Sequence, residues 1–214
     1  ETARLAMEHG YQFNVHAIGD RGNRETLDIF EAAYASAGAG AYRWRIEHAQ
    51  HLHPDDIPRF AEIGVIASMQ GVHATSDGPW IEAKLGTQRS EEGAYVWRKL
   101  MDSGVIVMNG TDAPVENVDP IASYYSTVSR RMADGGVLFP DQRMTRMEAL
   151  RSYTINAAYG AFEEDIKGTL EIGKLADITV LSQDILTVDE ERIPETAVVA
   201  TIVGGVVVYR GDGQ

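Results

Sequence analysis

An α/β chain with a parallel sheet and a β-rich tail is the fold class this sequence predicts, on three observations. Short, continuously apolar runs alternate with longer amphipathic stretches through the first half of the chain, as strands buried between helices require. Three of those runs end in a metal-capable side chain: Tyr11-Gln12-Phe13-Asn14-Val15-His16, Trp44-Arg45-Ile46-Glu47-His48, and Val105 through Gly110-Thr111-Asp112. Beyond Gly168 the alternation gives way to β-type segments joined by glycine turns.

The elements follow in order. Glu1 to Gly10 reads as the body of a helix that Gly10 closes, so its beginning is expected upstream of Glu1. A strand at Gln12–His16 precedes a helix from Asn23 to Ser36, with Leu27, Phe30, Ala33 and Tyr34 on one face. A link at Gly38–Ala41 leads to a strand at Arg43–Ala49. Pro54 opens a helix that runs to Glu62 and stops at Gly64, and a strand at Val65–Met69 follows. Gln70 to Arg89, with Gly71, Gly78, Pro79 and Gly86, reads as a long polar loop of the kind that carries function. A helix from Glu91 to Ser103 then precedes a strand at Val105–Asn109. Helices are expected at Pro120–Arg131 and Thr145–Ala158, the second with a Thr145/Glu148 capping box. The tail reads as a turn-bounded segment at Gly168–Gly173, a strand at Asp177–Leu181, and a hairpin of Ala197–Val203 and Val206–Tyr209 over Gly204-Gly205. The domain boundary falls near Gly168, giving domains 1–167 and 168–214.

Composition excludes some partners. A net charge of −13 disfavours nucleic acid and anionic membrane surfaces, which attract basic faces. No run approaches the roughly 20 apolar residues of a membrane span. The chain has no cysteine, so any bound metal must take nitrogen and oxygen ligands. A cytoplasmic location is the expectation that goes with this composition.

Ligands of parallel α/β folds collect at the carboxyl ends of the strands. Two imidazoles and a carboxylate at such ends suit a divalent ion, and zinc favours this donor set with a position open for water. The ion would bring the pKa of water from 15.7 toward about 7, and a neighbouring carboxylate would shuttle its proton. Asp112 is the candidate carboxylate, since Gly110-Thr111 turns the chain out of its strand. Each residue also has a plainer reading. His16 and His48 could be hydrogen-bonded structural histidines, and Gly-Thr-Asp a turn signal. His51 and His53, just before Pro54, read as a solvated loop, His9 as a helix-end cation, and Tyr124, Tyr125 and Phe162 as core.

Six segments taken in series resemble a known family. They are His16-Ala17-Ile18-Gly19-Asp20, Ile46-Glu47-His48-Ala49-Gln50, His73-Ala74-Thr75-Ser76-Asp77 with Pro79-Trp80, Gly110 to Glu116, Tyr153 to Ala158, and Gly168 to Asp177. Together they resemble the C-terminal half of a metal-dependent amidohydrolase, in amidohydrolase family 3 around N-substituted formamide deformylase and the YtcJ-like proteins.

The resemblance implies strands five to eight of a TIM (β/α)8 barrel plus part of a small β-sandwich. It implies that His16 and His48 bind one metal, most simply zinc, and that Asp112 is both a metal ligand and the catalytic proton shuttle. His73 and Trp80 would face a small amide-type substrate from the loop after strand seven. The activity implied is hydrolysis of carbon–nitrogen bonds other than peptide bonds. A His-x-His pair and a lysine that the family uses have no counterpart here, so the chain is expected to be a fragment that is inactive alone and pairs as a homodimer. The alternatives are an inactive half-barrel that binds metal or ligand without catalysis, and a plain metal-binding or assembly module.

Overall fold

The computed structural model describes residues 1–38 and 40–211. The link expected at Gly38–Ala41 and the tail to residue 214 each include residues outside that description. The chain runs α1 (Thr2–Glu8), β1 (Asn14–Ala17), α2 (Asp20–Ala37), β2 (Arg45–His48), α3 (Ile57–Ile63), β3 (Ile66–Gln70) and α4 (Gly71–Leu85). It continues with α5 (Thr87–Gly93), α6 (Trp97–Asp102), β4 (Val107–Gly110), α7 (Pro120–Ser129), α8 (Arg146–Tyr153) and α9 (Ile155–Gly160). The tail holds β5 (Ile178–Leu181), β6 (Val198–Val203) and β7 (Val206–Arg210).

Among the described residues, β1 to β4 form one parallel sheet in chain order, with Ala17 opposite His48 and Gln70 opposite Gly110. All four carboxyl ends therefore lie at one edge. Side chains alternate along a strand, and this sheet uses the alternation to separate two chemistries. Ala17, Ile46, Ala67, Met69 and Val107 are buried in the core, with Leu27, Phe30, Phe60, Trp97 and Leu100 of the helices. The alternate positions carry Asn14, His16, the Arg45–Glu47 ion pair, Ser68 and Gln70. One face is thus a packed core and the other a largely polar wall, with Ile66 and Met108 set among its polar groups. Trp44 anchors the first two strands: its ring packs 4.9 Å from Phe30 and 5.5 Å from Phe13, and its indole nitrogen donates to the Tyr11 carbonyl. Burying each such aromatic ring contributes about 1.5–3 kcal/mol.

Several expectations are corrected. β1, β3 and β4 each end one residue further on than the apolar runs suggest, at Ala17, Gln70 and Gly110, while β2 lies within its expected run. The expected loop from Gln70 to Arg89 is instead α4 and the start of α5. Gly86 is the turn between the two helices, at φ 80°, but Gly71 and Gly78 are packing positions. A side chain at Gly71 would overlap Thr127 and the Ser123 carbonyl, and one at Gly78 would overlap Met132. Gly71, Ala74, Gly78 and Ile81, all buried, recur at helical spacing and let α7 approach. The helix expected at Glu91–Ser103 is broken at Tyr95, whose φ of 52° ends one helix before Trp97 starts the next. The helix expected to Ala158 breaks at Thr154, while its Thr145/Glu148 capping box is present. Phe162 is not core: it is half exposed, under the Arg43 guanidinium.

In the tail, β5, β6 and β7 form an antiparallel sheet, and β6 and β7 are the expected hairpin over Gly204-Gly205. Ile185 and Ile193 tie this region to the core, and the Tyr124 and Arg146 side chains both donate to the Ile185 carbonyl. Among the described residues no helix is long and apolar enough to cross a membrane.

Candidate metal centre

The carboxyl edge of the parallel sheet gathers the chemistry. His48 should, by alternation, point to the helices with Ile46. Its backbone instead adopts the left-handed region at φ 78°, with Ala49 at φ 45°, and this re-aims the ring toward the polar wall. Asp112 makes a similar turn beyond β4, at φ 56°. Such conformations cost on the order of 1–3 kcal/mol in non-glycine residues and cluster at functional sites.

The ring nitrogens then meet. His48 Nε2 lies 2.7 Å from His16 Nδ1, and His48 Nδ1 lies 2.9 Å from Gln70 Oε1. His73, in the first turn of α4, sets its ring 5.9 Å from that of His48 and its Nε2 3.9 Å from Asp112 Oδ2. Ligand atoms of His48, His73 and Asp112 all fall within 4.8 Å of one another. His48 and His73 are buried, while the Asp112 side chain is 32% exposed and opens the group to solvent.

His73 Nε2 is buried and has no hydrogen-bond partner. An unpaired buried imidazole nitrogen is costly, and one facing a carboxylate across 3.9 Å leaves room for a small cation between them. Zinc–nitrogen and zinc–oxygen bonds of about 2.0–2.2 Å fit such a separation. The donor set therefore suits a divalent ion. Burial lowers the pKa of His73, against the Glu116 and Asp112 charges that raise it, and so favours the neutral, ligating form.

The site departs from the sequence reading at several points. His73 enters as a ligand candidate rather than a loop residue; its place at the start of a helix directly after a strand is the signal that reading α4 as a loop hid. His16 is exposed and reaches the cluster through His48 rather than belonging to the three-residue group. Trp80 lies on α4 instead of a loop, and is 65% exposed. His51 and His53 do not join the group: His51 packs edge-on against Tyr95, and His53 accepts from the Asp55 amide to cap the turn at Pro54–Asp56. Asp77, which closes the His73–Asp77 segment, is a hydrogen-bonded acceptor rather than a solvated loop residue. One turn after His73, it accepts from the Gln50 amide and the Tyr95 hydroxyl at 2.8 and 2.7 Å.

The sequence profile of the amidohydrolase family matches residues 1–209. The chain belongs to that amidohydrolase family. Protein LONG AFTER FAR-RED 3 of Arabidopsis thaliana is 35% identical over 95% of the chain and 35% of its own length. N-substituted formamide deformylase of Arthrobacter pascens is 28% identical over 100% of the chain and 39% of its own length. The crystal structure of an uncharacterized metal-dependent hydrolase from Pyrococcus furiosus superposes with a TM-score of 0.73 at 33% identity, over 86% of this chain and 37% of that one. The chain thus spans 35% to 39% of the lengths of these relatives.

Proposed function

We infer that this chain carries part of the active site of a metal-dependent hydrolase of carbon–nitrogen bonds other than peptide bonds, acting on an amide, formamide or cyclic amide. The observation that carries the reading is the convergence of His48, His73 and Asp112, with the His73 Nε2 buried and unpaired. The polar wall is read as the interior of strands five to eight of a TIM barrel, and the tail sheet as part of a β-sandwich. The formamide-cleaving relative supports an amide-type substrate.

His48 Nε2, His73 Nε2 and an Asp112 oxygen would hold the ion, with His16 Nδ1 beside them. When bound, a divalent ion supplies the acidity that brings water's pKa from 15.7 toward about 7. The chain's own groups do the remaining work. Asp112, partly exposed at the mouth of the site, accepts a proton at its carboxylate and delivers it to the departing nitrogen. Burial favours the neutral form of His73 and keeps solvent away from both His73 and His48.

Zinc titration by calorimetry tests the reading. The protein should take up zinc, and His48→Ala and His73→Ala should each abolish uptake while the far-UV circular dichroism is unchanged. Asp112→Asn should lower any zinc-dependent cleavage of an N-substituted formamide by about 10²-fold or more. Because the group offers three protein ligands with Asp112 partly exposed, affinity and turnover of this chain alone should be low. Zinc uptake equal in the wild type and in both histidine variants would remove the reading.

A further inference from the structure

We propose that Gln70 is a positioning residue that holds His48 in its Nδ1–H tautomer, leaving the Nε2 lone pair aimed into the cleft. Gln70 is the last residue of β3 and the N-cap of α4, so one residue joins the strand beside His48 to the helix that bears His73. It is 7% exposed and His48 is 5% exposed, so water does not substitute for the contact between them.

The amide orientation is determined by its two neighbours. Gln70 Nε2 lies 3.4 Å from the Ser68 carbonyl oxygen, and Gln70 Oε1 lies 2.9 Å from His48 Nδ1. Turning the amide over would press its oxygen against the Ser68 carbonyl, two acceptors with no proton between them. The oxygen therefore faces His48. An amide oxygen only accepts, so His48 Nδ1 must carry the hydrogen. A neutral imidazole has one N–H, which makes His48 Nε2 an acceptor.

The other histidine follows from this. His48 Nε2 sits 2.7 Å from His16 Nδ1, and since Nε2 accepts, His16 Nδ1 must donate. The two rings are thus prepared differently for a cation. His48 already offers a lone pair, whereas His16 must first move its proton from Nδ1 to Nε2. His16 is exposed, so water can carry that proton. Gln70 sets this asymmetry by its position at the end of β3.

The consequence for metal affinity rests on the metal-centre reading, whereas the tautomer is a property of the chain alone. Metal-free protein labelled with ¹⁵N-histidine, measured at about pH 9, above the ordinary imidazole range, reports each ring's tautomer. His48 is assigned by the signals missing from His48→Ala. Wild-type His48 should show a protonated Nδ1 and an unprotonated Nε2. Gln70→Met keeps the length but removes the acceptor, and should populate the Nε2–H form and weaken zinc binding about 10- to 100-fold. Gln70→Glu restores an acceptor and should restore the wild-type tautomer.

An Nε2–H wild-type His48 overturns the proposal, as does a Gln70→Met variant with unchanged tautomer and zinc affinity. Should Gln70→Met fail to fold, the wild-type and Gln70→Glu spectra still decide. A wild-type protein that shows the Nδ1–H form yet binds no zinc would uphold the role of Gln70 and remove the metal-centre reading instead.

Discussion

Charged side chains in this protein are positioned by very different surroundings. Glu148 accepts from both Arg98 and Thr145, and the Arg98 hydrogen bond is the main reason its carboxyl falls to about 2 from the ordinary 4.5. A carboxyl depressed by folding stabilises the native state above its unfolded pKa and loses that contribution as pH falls. The window here runs from about 4.5 down to about 2. Arg98→Ala should therefore move the acid-unfolding midpoint to higher pH, and cost about 1 kcal/mol at neutral pH, since solvent screens this partly exposed pair. Acid titration followed by circular dichroism checks both; an unmoved midpoint would count against the pair. Arg130 is the opposite case. It is fully buried above the Trp97 ring and donates to the Leu138 and Tyr95 carbonyls, with no acidic partner among the described residues. Burial pushes its pKa down to about 9, which leaves it charged at neutral pH.

At the scale of elements, α4 is the most instructive. Its composition, with Gly71, Gly78 and Pro79, argues for a loop, yet 15 residues form a helix. The glycines give close contact with α7 and Met132, and that packing gain outweighs their poor helix propensity. Gly71→Ala should then destabilise the protein by about 1–3 kcal/mol through overpacking against Thr127 and Ser123, measured by urea unfolding. A neutral or stabilising result would show that α7 can yield. The spacing of Gly71, Ala74, Gly78 and Ile81 was legible as a helical stripe in the sequence. Turn-forming residue types hid it, because helix propensity and helix packing pull in opposite directions at a small-residue interface.

For the whole molecule, the distribution of apolar surface matters most. The tail sheet leaves Val199, Val203, Val206, Val208 and Tyr209 exposed, while the parallel sheet buries its apolar face. Exposed apolar patches of this kind drive association. Sedimentation velocity should therefore find the protein self-associating, in keeping with the homodimer expected from the sequence. The double substitution Val206→Thr, Val208→Thr should shift it toward monomer without loss of secondary structure. A wild-type protein monomeric at high concentration would contradict this.

The sequence by itself determined the strand–helix alternation, the capping box at Thr145, the hairpin over Gly204-Gly205 and the family resemblance, because each depends on residues close together in the chain. It also pointed to His48 and Asp112, since strand ends in a parallel sheet share one edge. Only the tertiary structure decided that His73 joins them, that His16 reaches the group through His48, and that Gln70 orients the shared ring. Those facts depend on how the rings turn and which nitrogen meets which neighbour. Left-handed backbone at His48 and Asp112 redirects side chains that simple alternation would send elsewhere. Sequence spacing carries the period of a strand, but not the point at which the chain breaks that period to build a site.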